Sequence, residues 1–332
     1  MKHSLDIADP SSVAEGRRLA RQSAGAVGLD SDRIERLSVV ATEAGTNLLR
    51  HAGGGRLLIQ QQPGARIALA AIDRGPGIPE TEAALTDGYS TAGGAGTGLG
   101  AMRRLSDRFA LHSTPGRGTT VLCEFGSGPG HIGGVEVGAF LMNYPRNPHC
   151  GDAWTARNVR GRVELLVLDG LGHGPRAEAA GQEAIEAFAR LHDDDPSRLL
   201  GALSADLSGT RGSVGCLAQI EAAEGALALA GVGNISALMI SPTGDIRRMI
   251  SREGRLGGAV RPAPVERAEM KPGDTLVLHS DGIASLRELP GLPSLLRQSC
   301  AVVAATLMRD HARGTDDAAV LVARLAPKTE AP

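Results

Sequence analysis

Aromatic residues are scarce in this chain of 332 residues. They make up 2 % of the sequence, so any hydrophobic core must be built from Ala, Val, Leu and Ile. Cysteine is scarce as well, because the four cysteines (Cys123, Cys150, Cys216 and Cys300) are widely spaced and form no CxxC pair. This pattern favours buried free thiols in a reducing cytosol over a disulfide framework or a zinc site.

Targeting and membrane-spanning segments are also missing from the sequence. It contains no uninterrupted apolar run of about 18 residues, the length that crosses a bilayer. The N-terminal stretch MKHSLD lacks the apolar segment of a signal peptide. A formal net charge of −2 gives no reason to expect nucleic acid or an anionic membrane as a partner. We therefore expect a cytoplasmic protein with neither kind of partner.

What is present indicates a globular protein with two domains. The apolar content of 42 % and charged content of 22 % are typical of folded chains, and the length allows two cores. Residues 126–134 are the best linker, because five of these nine residues are glycine and none offers a periodic apolar face. The sequence thus predicts a first domain over 1–125, a second over 135–326, and a disordered tail over 327–332.

Helical and strand patterns surround a glycine-rich loop in the first half. Apolar residues recur every three or four positions from Ile34 to Leu48, which predicts a helix that ends before the glycines at 53–55. Short apolar runs at 66–72 and 119–125 are typical of strands. The stretch 73–100 lies between these strands and is too rich in glycine for continuous regular structure.

Three groups of polar residues and glycines in this half suggest a nucleotide site. Glu43 and Asn47 are four residues apart on the predicted helix and share one face, where a carboxylate and an amide can position a hydroxyl and a hydrated Mg²⁺ ion. Asp73 ends a predicted strand, and its carboxylate can accept a hydrogen bond from an exocyclic amine such as that of adenine. A turn through Gly75 and Gly77 follows it. The third group, which opens onto a helix and suits phosphate, is Gly96, Thr97, Gly98, Leu99 and Gly100.

Two better-known phosphate motifs do not apply here. The residues from Gly96 to Ala101 satisfy the dinucleotide pattern GxGxxG/A, but that pattern needs a strand immediately before it and a βαβ unit around it. A glycine-rich loop precedes these residues instead. The P-loop pattern GxxxxGK[ST] is absent from the sequence.

The order ExxxN, DxGxG and GTGLG over about 60 residues resembles the GHKL ATPase/kinase family. Within it, the stretch from Asp87 to Gly94 is similar to the ATP lid of the small RsbT-type serine kinases of bacterial partner switching. The resemblance implies an α/β sandwich that binds ATP and Mg²⁺. It implies that Asn47 holds Mg²⁺, Glu43 is the general base and Asp73 reads adenine. The glycines from 96 to 100 would line the phosphates, and Thr120 would lie near the adenine.

The second half carries acidic residues at predicted strand ends and turns. Asp152 lies in CGD, Asp169 and Gly170 begin DGLGHG, Asp281 lies in SDG, and an Asp316–Asp317 pair precedes the last strand. Carboxylates with a glycine carbonyl form a hard oxygen set suited to Mg²⁺ or Mn²⁺ rather than zinc. Two such ions can activate a water for in-line attack on a phosphate.

These residues resemble the metal-dependent PPM-type phosphatases of the SpoIIE/RsbX branch, over about 135–325. The resemblance implies an α-β-β-α sandwich with two Mn²⁺ or Mg²⁺ ions. It implies that Asp152, Asp169, Gly170, Asp281 and Asp316 are metal ligands and that Asp169 is also catalytic. Asp317 could take the place of Asp316, and the motif does not decide between them.

The sequence therefore predicts an α/β (α+β) protein with two opposed enzymes in one chain. The first domain is expected to phosphorylate Ser or Thr of a STAS-type antagonist protein, and the second to hydrolyse the phosphoprotein. The wider setting would be a stressosome-like complex or a sigma-factor pathway. The alternative is an ATP-binding anti-sigma or partner-binding module, without kinase chemistry, joined to an active phosphatase.

Overall fold

A computed structural model describes residues 2–85, 98–145, 147–258, 261–287 and 291–326. The contacts divide the chain into two units, the first running to Pro129 and including Ala301–Asp310, the second holding the rest. The boundary between the two units, between Pro129 and Gly130, lies inside the stretch 126–134 that is predicted as a linker. Part of the predicted second domain, Ala301–Asp310, lies with the first unit. The predicted tail at 327–332 lies outside the described residues.

The first unit up to Pro129 is one antiparallel sheet with helices packed on one of its faces. Its strands follow the order β1-β2-β3-β5-β4, and α1, α2 and α4 contribute to the core. Its elements up to Pro129 are β1 (Lys2–Ile7), α1 (Pro10–Val27), α2 (Ser31–Ala52), β2 (Gly55–Gln62), β3 (Arg66–Ile72), α3 (Thr81–Ala84), α4 (Gly98–Leu105), β4 (Arg108–Thr114) and β5 (Gly118–Phe125). The predicted two-layer α/β arrangement is confirmed.

Local signals set the ends of both long helices. Asp9 caps α1 by accepting hydrogen bonds from the amides of Ser11 and Ser12, so the helix begins directly after it, at Pro10. Helix α2 ends at Gly53, which adopts a left-handed conformation at φ 70°. Strand β1 was not predicted, and it pairs antiparallel with β2 along its whole length.

Helix α8 (Cys300–His311) supplies the remaining residues of the first unit. The hydroxyl of Thr306 donates to that of Thr120 on β5 at 3.1 Å. The carbonyl of Arg309 accepts a 2.8 Å hydrogen bond from the Arg74 guanidinium.

The second unit is a sandwich of two antiparallel sheets. One sheet has the order β14-β11-β10-β9-β8 and the other β13-β12-β15-β16-β7-β6. Its strands and helices are β6 (His131–Ile132), β7 (Val135–Met142), β8 (Ala153–Val159), β9 (Arg162–Gly170), α5 (Pro175–Arg190), α6 (Pro196–Asp206), β10 (Ser213–Glu221), β11 (Ala226–Val232), β12 (Ser236–Ile240), β13 (Ile246–Met249), β14 (Glu266–Glu269), β15 (Thr275–His279), α7 (Leu292–Leu295) and β16 (Ala318–Leu325).

Small aliphatic side chains fill this sandwich, as the scarcity of aromatic residues requires. Buried residues of β9 and β10 meet those of β7, β15 and β16 in one core between the sheets. Helices α5 and α6 cover the outer face of the first sheet, where Phe188 and Leu203 are buried. The four cysteines are buried free thiols, as predicted. Among the described residues, no helix is both long and apolar enough to cross a bilayer.

Candidate functional sites

The first candidate site begins on helix α2. Ala44 and Leu48 of this helix lie in the core, which leaves Glu43 and Asn47 partly exposed on another face. Gly45 permits close packing of α1, because a Cβ atom added there would lie 3.1 Å from Val13 Cγ1. The small residues between Glu43 and Asn47 thus serve helix packing rather than the approach of a ligand.

Glu43 and Asn47 lie beside the start of helix α4. A Cβ atom at Gly98 would lie 3.2 Å from both Asn47 Oδ1 and Nδ2, and 3.4 Å from Glu43 Oε2. Glycine at position 98 therefore lets the first turn of α4 approach the acid–amide pair closely. The first amides of a helix have no partner within the helix and favour an anion. The side chains of Glu43 and Asn47 therefore lie beside the first amides of α4, an arrangement suited to a metal-bound phosphate.

Asp73 follows strand β3 and is held by its surroundings. Its Oδ1 atom accepts hydrogen bonds from the amides of Gly75 at 2.8 Å and Thr119 at 3.2 Å. Neither bond uses Oδ2. Burial raises the pKa of Asp73, although these two amides act in the opposite direction. Gly77 has φ 72°, and a Cβ atom there would lie 2.4 Å from the carbonyl oxygen of Thr114, so the turn requires glycine.

The structure corrects the threonine assigned to this site. Successive side chains of a strand point to opposite faces, and Val121 and Cys123 of β5 lie in the core with the helices. Thr119 therefore shares the helix-covered face, and it lies next to Asp73. Thr120 points to the other face, where its hydroxyl meets that of Thr306. Thr119 is therefore the better candidate for the threonine near the adenine, since GTT offers two adjacent threonines and the motif alone does not give the face.

Part of the predicted phosphate loop lies outside the described residues. This applies to Gly96 and Thr97, and to the lid predicted at 87–94. Gly98, Leu99 and Gly100 form the first turn of α4.

The second candidate site lies at one end of the sandwich. Strands β8 and β9 are antiparallel neighbours, so the start of β8 adjoins the end of β9, and with it Asp152 adjoins Asp169. In the other sheet, β15 and β16 are paired in the same way, which brings Asp281 and Asp316 to neighbouring strand ends. The hydroxyl of Ser280 donates to Asp152 Oδ2 at 2.5 Å and thereby links the two sheets at this end.

A cavity of about 440 Å³ opens among these carboxylates. Its lining includes Asp169, Asp281 and Asp316 together with Asn234. Asn234 was not predicted, and its side-chain amide donates to Asp281 Oδ2 at 2.7 Å. The signal that could have found it is the GVGN sequence at the end of an apolar strand, which places a polar side chain at the same edge as the carboxylates.

The electrostatics of this cluster favour a cation. Burial, and then the charges of Asp281 and Asp316, raise the pKa of Asp169 to about 7. Burial and the charge of Asp169 raise the pKa of Asp152, which is 1 % exposed. Burial and Asp316 also raise the pKa of Asp281. A bound divalent cation would offset this repulsion and keep the carboxylates ionised.

Asp316 and Asp317 have different surroundings, and these favour Asp316 as the metal ligand. Asp317 is 3 % exposed, and its carboxylate accepts hydrogen bonds from the amides of Tyr144 at 2.6 Å and Gly151 at 2.7 Å. Asp316 lines the cavity, and its Oδ1 accepts one bond from the Asp317 amide at 2.8 Å. Asp316 is therefore the candidate ligand, and Asp317 holds the loop before β8.

Gly170 lies buried beside these residues and has no room for a side chain. A Cβ atom there would lie 2.7 Å from the carbonyl oxygen of Ala177 and 2.9 Å from that of Gly151. Within the described residues, no three His, Cys, Asp or Glu side chains converge closely enough to enclose an ion on their own. The donor set still fits Mg²⁺ or Mn²⁺, since such ions usually keep several water ligands and take few carboxylates directly.

Both parts of the chain match known families. The model of the histidine kinase-like ATPase domain family matches residues 7–124, and that of the Stage II sporulation protein E (SpoIIE) family matches residues 160–326. The serine/threonine-protein kinase RsbT of Bacillus subtilis (strain 168) is 35 % identical over 112 residues, which are 33 % of this chain and 84 % of RsbT. The phosphoserine phosphatase RsbX of the same organism is 22 % identical over 171 residues, 51 % of this chain and 82 % of RsbX.

Two solved structures are similar to part of this chain. A structure from work on the bacterial stressosome has a TM-score of 0.53 and 30 % identity, and the match covers 57 % of this chain and 99 % of that one. RsbX in complex with magnesium has a TM-score of 0.51 at 20 % identity, with 58 % and 96 % covered, which shows a shared fold. RsbT and RsbX are components of bacterial partner switching. The chain belongs to the SpoIIE family over residues 160–326 and, over residues 7–124, to the histidine kinase-like ATPase family together with RsbT.

Proposed function

We propose that this chain is a bifunctional partner-switching enzyme. Its first unit transfers phosphate from ATP to a serine or threonine of a STAS-type antagonist protein, and its second unit hydrolyses phosphoserine or phosphothreonine on that protein or a relative. The observation that carries the proposal is the presence of both chemistries in one chain. The Glu43–Asn47 pair beside Gly98 suits phosphoryl transfer, and the carboxylates around Asp169 suit phosphate hydrolysis.

In the first unit, each residue has a distinct task. Asn47 contributes its amide oxygen to Mg²⁺, and the amides of the first turn of α4 receive phosphate oxygens. Asp73 accepts a hydrogen bond from the adenine amine through Oδ2, while Oδ1 stays bound to Gly75 and Thr119. Glu43 accepts the proton of the attacking hydroxyl as a general base. Gly75 and Gly77 shape the turn beside adenine.

The second unit holds the metals through oxygen ligands. Asp152, Asp169, Asp281 and Asp316, with the carbonyl of Gly170, would bind two Mg²⁺ or Mn²⁺ ions. When bound, such a pair supplies an activated water for in-line attack on phosphorus. Ser280 and Asn234 orient Asp152 and Asp281, and the loop held by Asp317 fixes the position of Asp152.

The relatives support the pairing of two opposed activities. RsbT is named a serine/threonine kinase and RsbX a phosphoserine phosphatase, so one chain similar to both would reverse its own modification. Joining the two activities raises the effective concentration of each near a shared partner. We place this switch in the cytoplasm, within a stressosome-like complex or a sigma-factor pathway.

Incubation with [γ-³²P]ATP, Mg²⁺ and candidate STAS proteins tests this proposal. We expect label on a serine or threonine of the STAS protein, and its release as inorganic phosphate when Mn²⁺ is added. Calorimetric titration of ATP into the same preparation measures binding separately. ATP binding without label transfer to any STAS protein would contradict the kinase assignment and support a partner-binding module.

A further inference from the structure

A second cavity, of about 630 Å³, adjoins the carboxylate cavity in the second unit. The two cavities share Glu253 and Gly254 in their linings. Three arginines, Arg252, Arg255 and Arg261, line the second cavity, which we name the arginine groove. A groove that continues from a phosphate-hydrolysing site is in position to contact the chain on one side of a phosphorylated residue.

The arginine groove has an excess of positive charge. Arg255 and Arg261 are exposed, and Arg252 is half-buried. Among the described residues, none of the three forms an ion pair with a carboxylate, although the guanidinium of Arg252 donates to the carbonyl of Pro262 at 3.1 Å. Elsewhere in this unit the arginines of β13 are engaged: Arg247 faces Glu266, and Arg248 donates to a backbone carbonyl. Guanidinium groups without carboxylate partners are suited to bind carboxylates of another molecule.

The segment that carries Arg252 and Arg255 is fixed to the sheet. The amide of Arg252 donates to the carbonyl of Gly231 at 2.8 Å, and its carbonyl accepts from Gly233 at 2.7 Å. Leu256 is fully buried and exchanges two backbone hydrogen bonds with Ser213. Because both ends of the segment are bonded to the sheet, its arginines are presented from a defined backbone, which lowers the entropy lost on binding.

Glycines allow this segment to lie so close to the sheet. A Cβ atom at Gly231 would lie 2.3 Å from Ser251 Oγ, and one at Gly233 would lie 3.3 Å from the carbonyl oxygen of Gly254. Ile250 begins the segment and is 66 % exposed at the border of the groove. An exposed apolar side chain beside arginines is typical of a surface that contacts protein rather than a small anion.

We propose that the arginine groove binds acidic side chains of the protein substrate, near its phosphorylated residue. This inference rests on the proposed phosphatase function and adds a specificity determinant to it. The substrate's phosphate would enter the cavity at Asp169, while Asp or Glu side chains along the same strand of substrate pair with Arg255 and Arg261. Glu253, at the border, would disfavour acidic residues immediately next to the phosphorylated one.

Synthetic phosphoserine peptides test the groove with the full chain. In one series, a pair of acidic residues is moved along an otherwise Ala/Gly-rich peptide, and kcat/KM with Mn²⁺ is expressed relative to the rate on p-nitrophenyl phosphate. We expect one placement to raise kcat/KM by about 3- to 10-fold over the neutral peptide, the size expected for partly exposed ion pairs. High salt should reduce this preference.

The variant Arg255→Ala/Arg261→Ala should lose the preference, and Arg255→Glu should favour peptides with lysine at the same placement. Arg297→Ala is the matched control, since Arg297 is exposed and lines neither cavity. We expect this control to keep the preference. Retention of the acidic preference by the double variant, or equal rates for all placements in the wild type, would overturn the inference.

A binding measurement separates this inference from the proposed function. Fluorescence anisotropy of a labelled acidic phosphopeptide reports the groove without any hydrolysis. Tighter binding of the acidic peptide that is lost in Arg255→Ala/Arg261→Ala, in a protein inactive on p-nitrophenyl phosphate, would contradict the phosphatase function and support the groove. Activity on p-nitrophenyl phosphate without any acidic preference in binding or rate would support the phosphatase function and contradict the role of the arginine groove.

Discussion

The carboxylate of Asp317 accepts a 2.7 Å hydrogen bond from the amide of Gly151, the residue before Asp152. The same carboxylate accepts a bond from the amide of Tyr144. The buried carboxylate of Asp317 thus holds the loop that leads to Asp152. Its neighbour Asp316 lines the cavity. Two adjacent aspartates with the same side chain therefore have different surroundings: Asp317 shapes the loop, and Asp316 is the one that we propose as a metal ligand.

Substitutions at these two positions should separate the tasks. Asp316→Asn keeps an oxygen for the Asp317 amide but weakens metal binding, so we expect Mn²⁺-dependent hydrolysis to fall by more than about 100-fold with little change in Tm. Asp317→Ala leaves the amides of Tyr144 and Gly151 without their acceptor and should destabilise the second unit by about 2 kcal/mol. Phosphatase assays and scanning calorimetry measure the two effects. A lower Tm for Asp316→Asn than for Asp317→Ala would contradict the assignment.

Ser280 should affect the metal site through Asp152. Its hydroxyl donates to Asp152 and accepts from the amide of Ala319, so it holds the carboxylate against the second sheet. We expect Ser280→Ala to weaken Mn²⁺ binding by about 10- to 100-fold, the usual effect of removing a group that orients a metal ligand. Isothermal titration with Mn²⁺ measures this. Ser285→Ala, on the loop after β15, is the control, and an equal loss in both variants would refute the role of Ser280.

Thr119 and Thr120 should differ in their effect on ATP. Thr119→Val keeps the amide that donates to Asp73 but removes the hydroxyl, which lies 3.0 Å from Ser113 Oγ, so it should weaken ATP binding several-fold by disturbing the adenine side of the site. Thr120→Val removes the hydrogen bond to Thr306 and should cost about 1 kcal/mol of stability while leaving the ATP Kd unchanged. Calorimetric titration with ATP distinguishes them. The opposite order would restore the original assignment of Thr120.

The aspartate pair and the threonine pair show which features of the sites can be predicted from sequence and which cannot. A motif gives residue types and their order, so it predicted Asp73, Asp169 and the DD pair. It does not give the face of a strand or the partners of a carboxylate, because these depend on the register of strands far apart in sequence. The motif named Asp316 as the ligand and left Asp317 as its alternative, and the hydrogen bonds of Asp317 now favour Asp316. Thr119 could be selected only after β5 had been placed against its neighbours.

The fold, too, could be predicted where its signals are local in the sequence and not where they depend on distant segments. Strong helical periodicity and flanking glycines predicted α2 well, because those signals are local. Strand β1, with partly exposed residues, carries little pattern of its own and forms because β2 offers it a pairing edge. Residues 292–311 form two helices, α7 and α8, and part of α8 belongs to the first unit. Pattern alone does not reveal which core a helix joins.

Asp107 should make the first unit sensitive to acid. Its burial acts to raise its pKa, but hydrogen bonds from the Gly126 amide and from Arg33 and Arg36 outweigh this and hold the pKa below the usual range. The unfolded pKa of aspartate is about 3.9. A pKa lowered by folding means that the stabilisation is fully present above that pH and is lost as the pH falls through the folded pKa.

We therefore expect Asp107→Asn to destabilise the first unit by about 1 kcal/mol at pH 7, and by progressively less below pH of about 4. Calorimetric scans of wild type and variant at several pH values measure this difference. Asp206→Asn is the control, since Asp206 forms only a long surface pair with Arg190 at 3.9 Å. A difference that grows as the pH falls would contradict the expected sign.

The central claim is that one chain both adds and removes the same kind of phosphate. The most direct test is a time course with [γ-³²P]ATP, Mg²⁺, Mn²⁺ and a STAS protein, using Glu43→Gln and Asp169→Asn variants of the full chain. We predict that Asp169→Asn accumulates labelled STAS protein, and that Glu43→Gln adds no label but removes phosphate from STAS protein labelled beforehand. Equal labelling by Glu43→Gln and wild type, or persistent dephosphorylation by Asp169→Asn, would contradict the account.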